Sequence, residues 1–141
     1  WVAYEVSSVD VKADKSFSHI WMTSWDGARS VQLTNREKES ESTPRFSPDG
    51  KKIAFVVFSY GLSVMNADGT GAVYLRLPPA AGTLSAVDDW SPDGKWIAFQ
   101  VSGTAGRVDA FLIDLESRVA RLNGSESWFA VSLRKAVPLG P

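Results

Sequence analysis

A nearly identical ten-residue stretch occurs twice in this 141-residue chain, at a spacing of 44 positions. The two copies are FSPDGKKIAF at residues 46–55 and WSPDGKWIAF at residues 90–99. A repeat period of about 40–45 residues is typical of β-propellers, in which each repeat forms a blade of four strands. A blade is a small sheet that buries its faces only against neighbouring blades. The repeat therefore constrains the architecture strongly and the activity weakly.

The centre of each copy predicts a tight turn between two antiparallel strands. Proline presets the backbone for the second position of a type I turn, Asp suits the third, and Gly accepts the positive φ that often follows. The predicted turn residues are Ser47, Pro48, Asp49, Gly50, Ser91, Pro92, Asp93 and Gly94, with Asp68 and Gly69 in a further turn. Calcium binding by these aspartates is the alternative, but the turns lack the regularly spaced oxygen donors of a calcium loop. We therefore predict structural turns and no metal site.

Apolar strands separated by turn residues at intervals of about 8–12 positions predict an all-β chain. We expect one partial β-propeller over residues 1–141, with blades at residues 1–35, 42–78 and 86–123 and an extra strand with a divergent tail at residues 127–141. With strands a to d counted outward from the axis, the expected order is b-c-d, a-b-c-d, a-b-c-d, a, so residues 127–133 should form an innermost strand. Closed propellers need about 4–8 blades. The expected partner is therefore the remainder of a larger protein or a second copy of this chain.

Composition and charge argue against several other classes of protein. The formal net charge is −1 and no basic run exceeds two residues, whereas a nucleic-acid-binding protein usually carries a basic stripe. No apolar stretch approaches the roughly 18 residues of a membrane span. The chain has no cysteine, so it is not a disulfide scaffold. We expect no nucleic acid, membrane or cofactor as a partner.

The repeated motif, followed by a strand that ends in Asn-Ala-Asp-Gly, resembles the blades of TolB-type propellers and of the prolyl oligopeptidase family. Residues 2–10, 19–22 and 32–34 are similar to the opening blade of the acylaminoacyl-peptidase and dipeptidyl-peptidase branches of that family. This resemblance implies a non-catalytic propeller that gates an α/β-hydrolase domain and selects its peptide substrates, in a cytoplasmic serine peptidase. The alternative is a TolB-like propeller that binds protein partners without enzymatic activity, in the periplasm.

Serine peptidase chemistry by this chain alone is not expected. The hydrolase domain of such peptidases carries its nucleophile in a Gly-x-Ser-x-Gly turn, and no serine here has glycine at both positions. His19 is the only histidine, and we expect it to lie just before a strand and to bond to the backbone. We therefore predict no catalytic residue in residues 1–141.

Three charged residues on the predicted innermost strands are the candidates for contact with a peptide. Arg45 lies beside Phe46, and Asp88 and Asp89 lie beside Trp90. Alternate side chains of an innermost strand can face the central channel, where their charges would steer or hold peptides. In the alternative interpretation, which we favour, these charges pair with neighbouring blades or face solvent in the channel.

Overall fold

A computed structural model describes residues 1–76, 82–103, 106–116, 119–122, 128–130 and 132–135. Within these ranges the chain forms strands joined by turns and contains no α-helix. The strands are β1 (Val2–Asp10), β2 (Lys15–Thr23), β3 (Ser30–Gln32), β4 (Glu41–Phe46), β5 (Lys52–Val57), β6 (Gly61–Asn66), β7 (Val73–Arg76), β8 (Thr83–Trp90), β9 (Trp96–Ser102), β10 (Val108–Asp114), β11 (Val119–Leu122), β12 (Trp128–Ala130) and β13 (Ser132–Lys135). Nothing in the described ranges forms a helix capable of crossing a lipid bilayer.

The strands form three antiparallel sheets, which confirms the all-β prediction. Sheet 1 has the order β1-β2-β3, sheet 2 has the order β4-β5-β6-β7-β13, and sheet 3 has the order β8-β9-β10-β11-β12. Consecutive strands within each sheet pair as hairpins, and Asp-Gly or Pro-Asp-Gly turns reverse the chain between β2 and β3, β4 and β5, β6 and β7, and β8 and β9. Strands β4 and β8 therefore form one edge of sheets 2 and 3, and β1 forms the corresponding edge of sheet 1.

The expectation of an innermost strand at residues 127–133 is wrong. Strand β12 pairs with β11, and β13 pairs with β7, so both strands add to the outer edges of existing sheets. An edge strand exposes a row of unpaired backbone N–H and C=O groups. The two added strands satisfy these groups on β7 and β11, which an innermost strand would have left open.

Strand β5 lies at the centre of the molecule and is buried on both faces. Its residues 53–57 are all buried, and they contact two different clusters in strict alternation. Ile53, Phe55 and Val57 pack in a cluster with Ile20 and Leu33 from sheet 1 and its following loop. Ala54 and Val56 pack on the other side in a cluster with sheet 3. An uninterrupted apolar run is typical of a strand that is covered on both faces.

The repeated turn is built from side-chain contacts as well as backbone geometry. Gly50 has a φ of 69° and donates its N–H to Ser47 O at 2.8 Å. Ser47 Oγ donates to Asp49 Oδ1 at 2.6 Å and accepts from Lys52 N at 2.9 Å. The same contacts recur at Ser91 and Asp93 and, in the β2–β3 turn, at Ser24 and Asp26. The same Ser-x-Asp-Gly unit thus closes the β2–β3, β4–β5 and β8–β9 turns.

These turns create a dependence of stability on pH. Hydrogen bonds from Ser47 and then Lys51 lower the pKa of Asp49, and the Ser91 hydroxyl lowers the pKa of Asp93 in the same way. A lowered pKa in the folded state contributes stability above the unfolded-state value of about 3.9, and the contribution is lost as pH falls through the folded-state pKa.

We expect an Asp49→Asn, Asp93→Asn double variant to unfold at lower urea concentration than the native chain at pH 7. The difference should shrink as pH falls below about 3.9. Asp14→Asn at the β1–β2 turn is the control, and a difference that is constant from pH 7 to pH 3 would contradict the assignment.

Gly82 tests how closely the chain just before β8 approaches the end of β9. Gly82 has a φ of 98°, and a Cβ at this position would lie 2.6 Å from the backbone oxygen of Ser102. Gly106 has a φ of 74° with open space around it, so it serves as the matched control. We expect Gly106→Ala to lower the free energy of unfolding by about 1 kcal/mol, from the left-handed backbone alone. Gly82→Ala should cost at least about twice as much in urea denaturation, because strand β9 must also move. Equal losses would show that the close approach does not exist.

Candidate functional site

The candidate channel residues lie on β4 and β8, and both strands are irregular. The pairing register shifts between Ser42 and Arg45 on β4 and at two places on β8. Pro44 lies inside β4, and Thr43 has a φ of 51°, which is unusual for a β-branched residue. Bulges and prolines occur at sheet edges, where they redirect side chains without breaking an interior ladder. The irregular backbone therefore leaves polar groups of β4 available to bond outside its own sheet.

Three hydrogen bonds connect β4 to β8 between sheets 2 and 3. Thr43 Oγ1 accepts from Val87 N at 3.0 Å, and Arg45 Nε donates to Asp88 O at 2.9 Å. Trp90 Nε1 donates to Arg45 O at 3.0 Å, while the Trp90 ring is buried in the core between the two sheets. Arg45 thus fixes the position of one innermost strand relative to the next.

The structure brings Arg45 and Asp88 together, but through a backbone oxygen rather than an ion pair. The carboxylate of Asp88 accepts a hydrogen bond from Gln100 Nε2 at 2.6 Å. Asp89 Oδ1 accepts the N–H of Trp90 at 2.8 Å. Both Arg45 and Asp89 are exposed, so their charged groups remain accessible to solvent. Contact of the three side chains with a peptide stays a prediction.

A second polar cluster connects sheets 1 and 2, and its central residue is a buried carboxylate. Glu41, at the start of β4, is 1% exposed. Its Oε2 lies 2.8 Å from His19 Nδ1 and accepts from Thr34 Oγ1 at 2.9 Å. Thr34 Oγ1 in turn accepts the backbone N–H of Ile20 at 2.8 Å. A buried carboxylate requires such partners because its desolvation is otherwise uncompensated.

The expectation for His19 is wrong in both its parts. His19 lies within β2 rather than before it, because the β1–β2 hairpin extends over nine residue pairs, from Val2↔Thr23 to Asp10↔Lys15. Its ring contacts a carboxylate and not the backbone. Residues 36–41 are mostly charged, as in a linker exposed to solvent, so the sequence did not indicate that Glu41 is buried. A lone His in an apolar strand, which needs a polar partner, is the one signal that could have pointed to the pair.

Removal of the Glu41 side chain tests this junction. We expect Glu41→Ala to lower the free energy of unfolding by about 3 kcal/mol, because it leaves His19 and Thr34 without their shared acceptor in a buried setting. Glu5→Ala, at an exposed position of β1, should change it by no more than about 0.5 kcal/mol. Chemical denaturation measures both variants. A loss for Glu41→Ala as small as that of the control would contradict the buried cluster.

Similarity to known proteins agrees with a propeller. No protein-family model matches the chain. It is 36% identical over 104 residues to the uncharacterised peptidase YuxL of Bacillus subtilis (strain 168), a match that covers 71% of this chain and 15% of that protein.

Two solved TolB structures have a similar fold. A TolB-assigned protein from Agrobacterium tumefaciens superposes with a TM-score of 0.63 at 20% identity, covering 88% of this chain and 43% of the other. TolB from Acinetobacter baumannii superposes with a TM-score of 0.59 at 23% identity, covering 78% of this chain and 27% of the other. The chain thus spans a minor part of each similar protein. The three sheets are blades, and the prediction of a partial β-propeller is confirmed.

Proposed function

We propose that this chain is the propeller portion of a serine peptidase resembling the prolyl oligopeptidase family. In this proposal it selects peptides for an α/β-hydrolase domain that lies outside residues 1–141. The 36% identity with a bacterial peptidase carries the proposal. The chain contains no Gly-x-Ser-x-Gly motif, which supports a propeller without catalytic residues, because the nucleophile would then belong to the hydrolase domain.

Selection would depend on charge at the innermost strands. Arg45 and Asp89 are both exposed, on neighbouring strands that are connected by the hydrogen bond from Arg45 Nε to the backbone oxygen of Asp88. Charges on the wall of a narrow passage raise the local concentration of complementary ligands and disfavour those of like charge. A rigid backbone would hold the two charges at fixed positions, so that peptides of different charge are admitted unequally.

A TolB-like interaction propeller without enzymatic activity is the competing proposal, and the similarity of fold to two TolB structures favours it. The partner in this case is a protein, and the expected compartment is the periplasm rather than the cytoplasm. In both proposals the blades are completed by the remainder of a larger protein or by a second copy of the chain.

Peptide hydrolysis separates the two proposals. The natural protein that contains residues 1–141 should cleave fluorogenic peptides and lose activity on treatment with a serine-directed fluorophosphonate. Residues 1–141 alone should cleave none. Hydrolysis by residues 1–141 alone, or no hydrolysis by the natural protein across a library of peptides, would contradict the peptidase proposal.

The selection step has its own test in the natural protein. We expect Asp89→Asn to raise KM about threefold for peptides that carry Lys or Arg and to leave KM for neutral peptides and kcat for both unchanged, because a solvated charge contact is worth at most about 1 kcal/mol. Glu116→Gln, at the exposed β10–β11 turn, is the control and should change neither constant. Equal effects of Asp89→Asn on charged and neutral peptides would contradict charge selection while leaving the peptidase proposal intact.

A further inference from the structure

The β1–β2 hairpin extends further than the equivalent hairpins of sheets 2 and 3. Residues 1–4 resemble residues 96–99 of the second repeat, so Ser102 at the end of β9 corresponds to Ser7. Strand β1 continues for three more residues, Ser8–Asp10, and pairs with β2 along its whole length. Strand β8 accompanies β9 only as far as Ser102. An innermost strand of the length seen in sheet 3 would therefore leave the end of β1 open.

The edge of β1 lacks the features that normally prevent a strand from pairing with another chain. Natural edge strands are usually blunted by prolines, bulges, lysines or short length. Strand β1 is nine residues long, contains no proline or lysine, and keeps an unbroken register with β2. Residues 5–10 are all exposed, and in the described part of the chain no strand pairs with this edge. The edge thus presents unpaired backbone N–H and C=O groups to an incoming strand.

A cleft with a volume of about 310 Å³ opens next to the same edge. Its lining comprises Ser8, Phe17, His19 and residues 35–38. Ser8 pairs with Phe17, so their side chains lie on one face of the hairpin, and Val6 pairs with His19 on that same face. A strand added to β1 would place every second side chain on this face. One of these side chains would extend over Ser8 into the cleft.

His19 offers a hydrogen-bond acceptor in the cleft. Its Nδ1 lies 2.8 Å from Oε2 of the buried Glu41, and an ionised carboxylate only accepts, so Nδ1 carries the proton. In the neutral ring, Nε2 then has a lone pair and accepts hydrogen bonds. Nε2 has no partner among the described residues, and 17% of the side chain is exposed. A ligand in the cleft can therefore donate an N–H or O–H to Nε2.

Charge does not decide which group the cleft prefers. Basic and acidic side chains are mixed along the β3–β4 connection, with Arg36 and Lys38 beside Glu37 and Glu39, and Glu41 follows at the start of β4. A neutral ligand is repelled by neither kind of charge. The hydrogen bond to His19 Nε2 is therefore the selective contact.

An extended peptide fits the edge better than a second copy of β1 does. Antiparallel pairing of the exposed residues 5–10 with the same residues of a second copy would set Glu5 opposite Asp10. Like charges directly opposite each other destabilise a strand pair. Lys15 faces Asp10 in the hairpin but forms no ion pair with it in the described residues, so it does not remove this conflict. A peptide with an uncharged or basic residue opposite Glu5 has no such conflict.

We propose that the free edge of β1 binds an extended peptide as an additional strand, and that a long hydrogen-bond donor side chain of this peptide, such as Gln, donates to His19 Nε2 in the cleft. In this mode of binding, main-chain hydrogen bonds supply affinity and a side-chain pocket supplies specificity. Neighbouring strands lie about 4.8 Å apart, so the added strand is about 10 Å from β2 and a short side chain does not reach His19. The site goes beyond both proposed functions, since neither assigns a role to the β1–β2 hairpin.

N-methylated peptides test the strand addition. A short peptide of alternating Thr and Val with a central Gln is prepared unmethylated, methylated on the odd-numbered amides, and methylated on the even-numbered amides. Successive N–H groups of a strand point to opposite edges, so only one methylated version blocks the bonds to β1. We expect the unmethylated peptide to slow hydrogen exchange at alternate amides of residues 6–10, and only one methylated version to lose this effect. Equal behaviour of the two methylated versions would overturn the proposal.

The same exchange measurement without peptide tests the alternative occupant. We expect exchange at residues 6–10 to be independent of protein concentration. Protection that increases with protein concentration would identify a second copy of the chain as the occupant and would overturn the proposal.

The donor side chain is tested by a peptide in which Met replaces the central Gln, because Met has a similar length and no donor. We expect the Gln peptide to bind about fivefold more tightly, as for one hydrogen bond. In the ¹⁵N-histidine-labelled protein it should also shift the His19 Nε2 signal more than the Met peptide does, with the resonances assigned by their loss in His19→Gln. Equal affinities together with equal shifts would overturn the assignment of Nε2.

Two neighbouring substitutions locate the pocket. Ser7 and Ser8 are both exposed and lie on opposite faces of β1, where Trp is a favourable strand residue. We expect Ser8→Trp to fill the cleft and abolish the difference in affinity between the Gln and Met peptides. Ser7→Trp is the matched control and should preserve that difference. Equal effects of the two substitutions would overturn the placement of the peptide side chain in the cleft.

Discussion

Burial of both faces of sheet 2 is the constraint on which the rest of the structure depends. Residues 53–57 of β5 are all buried, and they alternate between sheet 1 on one side and sheet 3 on the other. Full burial of a Val, Ile or Phe side chain contributes about 1.5–3 kcal/mol relative to exposure. A single blade could not retain this contribution, because its apolar faces would meet water. The three blades are therefore stable as a stack, and the junctions between them determine where functional groups lie.

Apolar stacking is non-directional, so polar contacts are needed to fix how one blade sits against the next. Each junction has its own set. Glu41 connects sheet 2 to His19 in sheet 1, and Arg45 and Trp90 connect β4 to β8. Both sets involve β4, whose bulge and proline free its polar groups from a regular ladder. The charged residues and the histidine proposed to meet peptides are the same residues, or their direct neighbours, and their positions follow from the stacking.

Features encoded by neighbouring residues could be predicted from the sequence, and features that depend on distant pairs could not. The Ser-Pro-Asp-Gly turns follow from the backbone preferences of residues 47–50, and the period of 44 positions then predicts blades. The pairing of strands β12 and β13 was missed because hydrogen bonding along an edge strand carries no local signal. The contact between His19 and Glu41 joins residues 22 positions apart in two different blades, and neither residue indicates the other.

The alternating contacts of β5 provide the most direct test of the stacked arrangement. In a methyl and aromatic NOESY experiment, Ile53 and Phe55 should show cross-peaks to Ile20 of sheet 1, while Ala54 and Val56 should show cross-peaks to residues of sheet 3 such as Val87 and Ile97. Cross-peaks from all four β5 residues to one sheet only, or to neither, would contradict the account.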